Sequence, residues 1–362
     1  MSKKEDEPEA MNLTEYCSKL EKTYGDDISI GATAHETVST GVLALDLALG
    51  GGVPRRRFSL FWGPESSGKT TIAMKTAAEF QKYDWETGEY LNVTTPTPVV
   101  FIDAECAFDP QWAGKNGVDD NPEYFRIIRP SYGEMVVDIL YDLIVSSSVG
   151  FIIVDSLEAL IPKAYDEKSA EDSSSLGDRA KMLSAGYRKW TSALIKATAN
   201  NKETPWKIPT LLCLNQVREK VGISYGSPNV LPGGLAQRFY SHTIVSLNKA
   251  KVADNENKLY GTGEYHGIVE KSKGTAPKKR FAFEMSLQDS LDQKAGFVDN
   301  PKTLFKILKN SDGFTKLEKG GWDIFGQQYK TQDEFRDRLY KEPLFYKSVV
   351  EIVMNQGEVN EG

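Results

Sequence analysis

The chain is predicted to be an α/β protein whose mostly parallel sheet carries helices on both faces. A phosphate-loop motif, Gly63-Pro64-Glu65-Ser66-Ser67-Gly68-Lys69-Thr70, joins the apolar stretch Phe58 to Trp62 to a segment with Ile72, Thr76 and Phe80 at helical spacing. Continuous apolar runs recur at Val99–Asp103, Phe151–Asp155 and Thr210–Gln216, and each ends on an acid or an amide. Unbroken apolar character, in place of alternation, marks strands buried on both faces. Helical patterns lie between and after them, with Met135, Ile139 and Leu143 on one face and Leu183, Trp190 and Leu194 on another. Strands alternating with helices give a parallel sheet. Ligands of such sheets lie beyond the carboxyl ends of the strands, where these polar endings collect.

The loop motif specifies its own chemistry. Gly63 and Gly68 permit positive backbone torsions and leave no Cβ in the way of phosphates. Successive N–H groups along the loop, through Thr71, can then turn inward around the β-phosphate. Lys69 reaches the β- and γ-phosphates, and the Thr70 hydroxyl is placed to bind Mg²⁺. The helix after the loop adds the positive end of its dipole. The motif predicts a nucleoside triphosphate as ligand.

Composition narrows the rest. At 362 residues the chain suits one large or two unequal domains, and its 40% apolar and 26% charged residues are ordinary for a globular protein. With a net charge of −7, any nucleic-acid contact has to come from a local basic patch. Cys17, Cys106 and Cys213 stand far apart with no C-x-x-C pair, which fits reduced intracellular thiols and not a disulfide or zinc framework. There is no apolar run of about eighteen residues and no signal-peptide pattern, so a cytoplasmic protein with no membrane partner is expected.

In order along the chain, residues 1–10 are charged, and Leu13, Cys17 and Leu20 predict a short helix ending near Gly25. Ile28-Ser29-Ile30 is a short strand candidate. Such a helix and strand must pack on their own core or on a neighbouring copy, and the sequence leaves both open. After the phosphate-loop helix, Asp84–Pro98 is polar with Thr and Pro and reads as a surface excursion, and 200–207 lengthens another connection. Beyond Met285, Phe305, Leu308, Phe314 and Gly321-Trp322 precede two helical patterns, one with Phe335 and Leu339, the other with Phe345, Val349 and Val353.

Polar strand endings supply the candidate chemistry. Asp155, followed by Ser156, matches an acid that holds Mg²⁺ across from Thr70; an Asp there can also cap the next helix. Glu105, in Asp103-Ala104-Glu105, is the candidate to orient and deprotonate an attacking water, the alternative being a surface Glu. The amide of Gln216, after Asn215, could sense a γ-phosphate by hydrogen bonding.

The phosphate loop, Phe101-Ile102-Asp103-Ala104-Glu105, Val154-Asp155-Ser156, Asn215-Gln216-Val217-Arg218 and Gly233-Gly234 together resemble the RecA family of DNA recombinases, its bacterial members above all. The resemblance runs from about Leu20 to Met285 and continues faintly beyond. It implies a RecA-like P-loop ATPase core over 39–285, a small N-terminal polymerisation segment over 1–38 and a small α+β C-terminal module over 286–362. It also implies a DNA-dependent ATPase, using ATP and Mg²⁺, that forms a helical filament on single-stranded DNA and exchanges strands with a homologous duplex. Single-strand-binding and mediator proteins would be further partners, and the location would be the nucleoid.

By that resemblance Glu105 takes the catalytic-base position, and Gln216 couples the γ-phosphate to the DNA loop after it. Asp109 and Trp112 fall where the family contacts adenine, with Trp in place of the usual Tyr. Two DNA loops carry over, Tyr165–Gly177 and Val217–Leu231, with Leu176, Gly177, Arg188, Arg218, Lys220, Tyr225, Gly233, Gly234 and Arg238 as contacts. Lys271 and Lys273 match a lysine pair that reaches a neighbour's ATP phosphates, and Pro277 also fits the nucleotide site. From the residues alone, Asp166, Glu167, Glu171 and Asp172 make the first loop a solvated linker. Two lysines at i, i+2 are likewise common on a solvated strand edge.

Several positions depart from the family. Glu219, Leu235 and Lys181 replace an apolar residue, Asn and Arg, which bears on DNA affinity and not on the ATPase. The mildly acidic end, Gln356–Gly362, replaces a strongly acidic tail and suits a phage-encoded relative. Two rival readings share the core. A ring-forming helicase would use an arginine finger where the lysine pair stands, and a nucleotide-switched scaffold would not need Glu105.

Overall fold

The computed structural model describes residues 12–31, 36–166, 176–219, 229–252, 261–290, 293–309, 313–318 and 320–355. Lys220 and Tyr225 lie outside them, as do the side chains of Leu176 and Arg218. The central sheet contains β1 (Phe58–Gly63), β2 (Val99–Asp103), β3 (Phe125–Ile128), β4 (Phe151–Asp155), β5 (Thr210–Gln216), β6 (Thr243–Val252), β7 (Thr262–Ser272) and β8 (Arg280–Ser286). Its order is β8-β7-β6-β1-β5-β4-β2-β3. Every neighbouring pair from β6 to β3 is parallel, while β7 and β8 are antiparallel additions. The predicted mostly parallel sheet is therefore present.

Both faces are buried, which is why the inner strands read as unbroken apolar runs. Phe61, Phe101, Ile153 and Leu212 pack on one side with Ile72 and Phe80 of the phosphate-loop helix, Lys69–Phe80. Leu60, Val100, Ile152 and Cys213 pack on the other with Val136 and Leu140 of helix Gly133–Ser146 and with Tyr187 and Trp190 of the long helix Leu176–Asn200. The Trp190 indole N–H donates to the Val137 carbonyl at 3.0 Å, so its one polar atom is satisfied inside that core.

The N-terminal helix, Leu13–Tyr24, begins at a capping box in which Asn12 and Glu15 exchange side-chain-to-backbone bonds. It has no buried residue, and it is tied to its own chain by Lys202, just past the long helix, to Glu21 at 2.8 Å, while Asp27, beyond the N-terminal helix, pairs with Lys196 of the long helix at 3.0 Å. Ile28-Ser29-Ile30 forms no strand among the described residues, contrary to expectation. Ile28 is extended, but the segment has no strand partner among the described residues, and a strand exists only by pairing.

The surface inserts have internal order of their own. Asp84 is buried at the centre of residues 84–95. Its carboxylate accepts the N–H groups of Glu86, Thr87, Thr94 and Thr95, at 2.7–3.0 Å, and the hydroxyls of Thr87 and Thr94. The Trp206 indole, in the second insert, donates to the Trp85 carbonyl at 3.0 Å, and Lys207 pairs with Glu86 at 2.9 Å. The two unassigned inserts thus pack on one another.

The C-terminal module has a three-stranded antiparallel sheet, Phe314–Lys316, Trp322–Ile324 and Gln327–Tyr329, with helices Asn300–Leu308, Gln332–Lys341 and Pro343–Asn355. Leu43, from helix Leu43–Leu49, is part of its apolar core. Asn300 fastens the joint, accepting the Leu43 N–H at 2.9 Å and donating to the Gly41 carbonyl at 2.8 Å. Among the described residues no helix is long and apolar enough to cross a membrane.

Candidate nucleotide and nucleic-acid site

The phosphate loop leaves β1 between two neighbours, β5 and β6. Gly63 is required there because a Cβ would come within 2.1 Å of the Leu247 carbonyl oxygen, and Gly68 has φ +85°. Lys69 is buried, and its ammonium donates to the carbonyls of Gly63 at 2.9 Å and Pro64 at 2.7 Å. Desolvation lowers its pKa from the ordinary lysine value, and Asp155, Glu105 and Glu65 partly oppose that. The loop therefore presents a partly dehydrated cation, a good partner for phosphate oxygens.

Across the loop, the Thr70 hydroxyl donates to Asp155 Oδ2 at 2.7 Å. Burial raises Asp155 to about 6, helped by the charges of Glu105 and Asp103 and opposed by the Thr70 hydrogen bond and Lys69. A hydroxyl and a carboxylate in contact are a hard oxygen donor set, and this pair fits Mg²⁺. The Asp155–Ser156 peptide is cis.

Glu105 stands in the turn after β2, exposed, and its Oε1 accepts the Gln216 amide N–H at 2.8 Å. β2, β4 and β5 thus deliver Glu105, Asp155 and Gln216 to the same carboxyl edge. The turn itself is held by Asp103, which accepts the Ala107 N–H at 3.0 Å, the Phe108 N–H at 3.3 Å and Arg129 Nε at 2.9 Å. Asp109 caps helix Pro110–Lys115 through the N–H groups of Gln111 and Trp112. The Trp112 indole donates to Thr71 Oγ1 at 3.2 Å, which links the expected base contact to the loop helix.

The expected DNA contacts are distributed around the long helix. Gly177 and Arg188 are exposed on it. Gly233 and Gly234, with φ +91° and +82°, lie against its Leu183 and Ala180, where a Cβ would sit 2.9 and 3.1 Å from those side chains. Close packing on the helix is thus a structural reason for both glycines. Behind them, Asn215 and Gln237 are buried, and Asn215 Nδ2 donates to Gln237 Oε1 at 2.9 Å and to the Pro232 carbonyl at 3.1 Å. Arg179 donates to Glu158 at 2.6 Å and to the Leu160 carbonyl at 3.0 Å, tying the start of the long helix to the segment after β4. Neither tie was readable in the sequence, because each joins residues about twenty positions apart with no local pattern.

Lys271 and Lys273 lie elsewhere. Lys271 pairs in register with Ile244, and Ile244 with Leu60. The Lys273 N–H donates to the His242 carbonyl, and the His242 N–H to the Phe58 carbonyl. Lys273 therefore stands level with the start of β1 and Lys271 level with Leu60 near its middle, both two strands away, while the phosphate loop leaves the far end of β1. Along the strand that separation is roughly 10 Å for Lys271 and roughly 16 Å for Lys273, farther than a lysine side chain spans. Lys271 donates to the carbonyls of Arg238 at 2.6 Å and Phe239 at 3.1 Å, and Arg238 pairs with Glu270 at 3.1 Å. Arg238, Lys271 and Lys273 line a groove of about 1020 Å³ with Arg56, Arg57 and His242, and Leu235 and Phe239 on its wall are 81% and 74% exposed. Pro277 is exposed in the β7–β8 hairpin.

The comparisons agree with this architecture. The family model described as RecA N-terminal domain matches residues 11–292. The chain is 33% identical over 340 residues to Protein RecA of Chlorobium chlorochromatii, covering 91% of this chain and 86% of the relative. It is 32% identical over 355 residues to Protein RecA of Arthrospira platensis, covering 96% and 88%. Against Protein RecA of Rhodopirellula baltica the identity is 34% over 328 residues, covering 89% and 78%. With a matched family model over most of its length and the nucleotide-site geometry in place, the chain belongs to the RecA family of recombinases.

Proposed function

We propose that the protein is a DNA-dependent ATPase that assembles as a helical filament on single-stranded DNA and pairs it with a homologous duplex. One observation carries the ATPase reading. Thr70–Asp155 at 2.7 Å and Gln216–Glu105 at 2.8 Å converge on the same carboxyl edge of the sheet that the phosphate loop leaves. In this reading the loop N–H groups and Lys69 bind the triphosphate, and Lys69 exchanges its carbonyl partners for the stronger phosphate acceptors. Thr70 and Asp155 hold Mg²⁺, which when bound offsets charge on the β- and γ-phosphates. Glu105 takes a proton from the attacking water, and the phosphorus–oxygen bond to ADP breaks as the bond to water forms. Gln216, released from Glu105 to the γ-phosphate, passes the nucleotide state to Val217 and Arg218 directly after it.

The separation of Lys271 and Lys273 from their own phosphate loop supports a shared site, with the pair serving the next copy's nucleotide. Cations at a transferred phosphoryl group offset its charge. Arg218, Lys220, Arg238 and Arg188 supply phosphate contacts on the DNA side, and Tyr225 a stacking face. The test is ATP turnover with and without single-stranded DNA across a salt series. Stimulation should be strong and should fall steeply with salt, because phosphate contacts release counterions. Arg218→Ala and Arg238→Ala should weaken DNA binding and leave nucleotide binding intact. Salt-independent stimulation, or wild-type behaviour of both variants, would remove the second loop from the DNA site.

A further inference from the structure

We propose that Asp103 is the positioning residue for Glu105, with Arg129 as the cation that holds it. The strand before it, Val99 to Ile102, is buried and apolar, so the same burial would favour another apolar residue at its end. A carboxylate there, with a side chain only 1% exposed, must be compensated by donors. The donors present are the Ala107 and Phe108 N–H groups and the Arg129 guanidinium. At the other end of the turn, the Ala104 N–H donates to the Asp155 carbonyl at 2.8 Å. Glu105 thus stands on a five-residue turn, 104–108, pinned at both ends, with Cys106 at φ +54° between them. A left-handed torsion in a non-glycine residue persists only where its surroundings fix it, and here Asp103 does so.

The segment beyond the turn has its own anchors. The Phe108 ring packs on Phe101 and Phe125 at 5.1 and 5.6 Å between centroids, and Trp112 is tied to Thr71. Loss of Asp103 should therefore release Glu105 and leave the base-binding side in place. The effect belongs in kcat and not in KM.

The inference rests on Glu105 as the base, and the experiment separates the two claims. DNA-stimulated turnover is measured for full-length Asp103→Asn, Arg129→Ala, Arg129→Lys, Glu105→Gln and the double variant Asp103→Asn/Glu105→Gln. Asp103→Asn should lower kcat between about tenfold and a hundredfold, the scale of a misplaced catalytic group, with KM for ATP within about twofold. Arg129→Ala should show a smaller fall of the same kind, about fivefold, and Arg129→Lys should recover most of it. In the Glu105→Gln background Asp103→Asn should cost nothing further, since residues acting through one group are not additive.

A KM that rises in step with the fall in kcat, an additional loss in the double variant, or wild-type turnover of Asp103→Asn would each overturn the proposal. Should Asp103→Asn fail to fold, the Arg129 variants decide, because that side chain is 54% exposed and its loss leaves the core unchanged. Wild-type turnover by Glu105→Gln would defeat the base assignment itself. A dead Glu105→Gln beside a normal Asp103→Asn would defeat only the positioning role.

Discussion

The two ends of β1 make an instructive pair. At its carboxyl end Lys69, Thr70, Asp155, Glu105 and Gln216 form contacts within one chain. At its amino end the cations Arg56, Arg57, Lys271 and Lys273 line an open groove with exposed Leu235 and Phe239 on its wall. The first end contains acids, hydroxyls and a dehydrated lysine, and so resembles a finished reaction site. The second has cations and apolar surface, and two carboxylates beside it, Glu36 and Glu270, are engaged in ion pairs with Arg56 and Arg238. A filament would bring one end of each chain to the other end of the next, as a heterologous interface does.

The largest effect should come from the finished end. Lys69→Ala should abolish hydrolysis, since the loop loses the one charge matched to the β- and γ-phosphates. Turnover near the wild-type rate would break the comparison at its first term.

Next is a test that joins the two ends. Glu105→Gln should bind nucleotide and DNA but turn over at least about a hundredfold more slowly, and Lys273→Ala should be nearly as impaired. Mixed one to one under conditions of proven co-assembly, roughly a quarter of interfaces should be intact, and turnover should recover to about that fraction. A mixture as inactive as its components would return both lysines to the solvated surface.

The smallest effect concerns Asp155 alone. Its pKa is raised from about 3.8 to about 6, so folding favours its protonated form. The nucleotide-free chain therefore loses stability as pH rises through about 6, and Mg²⁺-nucleotide binding weakens as pH falls through the same range. Asp155→Asn, measured by urea unfolding without nucleotide, should be more stable than wild type at pH 8 by up to about 3 kcal/mol, and the gain should shrink toward pH 4. A gain independent of pH would mean that the buried charge is not its source.

The same contrast explains what the sequence revealed. β2, β4 and β5 were legible to the residue, because a doubly buried strand is apolar until the polar group at its ligand end. β8 is exposed at every second residue, and the outer positions of β7 and β8 include Glu264, Glu284 and Arg280, so their alternation looks like ordinary polar surface. Ile28-Ser29-Ile30 has strand composition but no strand partner among the described residues, which three residues cannot announce. The insert at 84–98 reads as loop because Asp84 is satisfied mainly by backbone N–H groups, which carry no sequence signature. Arg129 lies 26 positions from Asp103, and only the β2–β3 pairing brings them together.

The turn that carries Glu105 also gives the protein a chemical handle. Cys106 is exposed at its crest, Cys17 is half-buried, and Cys213 is buried with its thiol pushed up to about 12 by desolvation. Thiolate character and access govern alkylation, so a maleimide dye has one favoured address in the native chain. That address adjoins Glu105, the proposed base. On the proposed reading, a reporter attached there would register nucleotide arrival, turnover and departure as changes in its own emission, with no tryptophan to engineer and the half-buried Cys17 as the competing thiol.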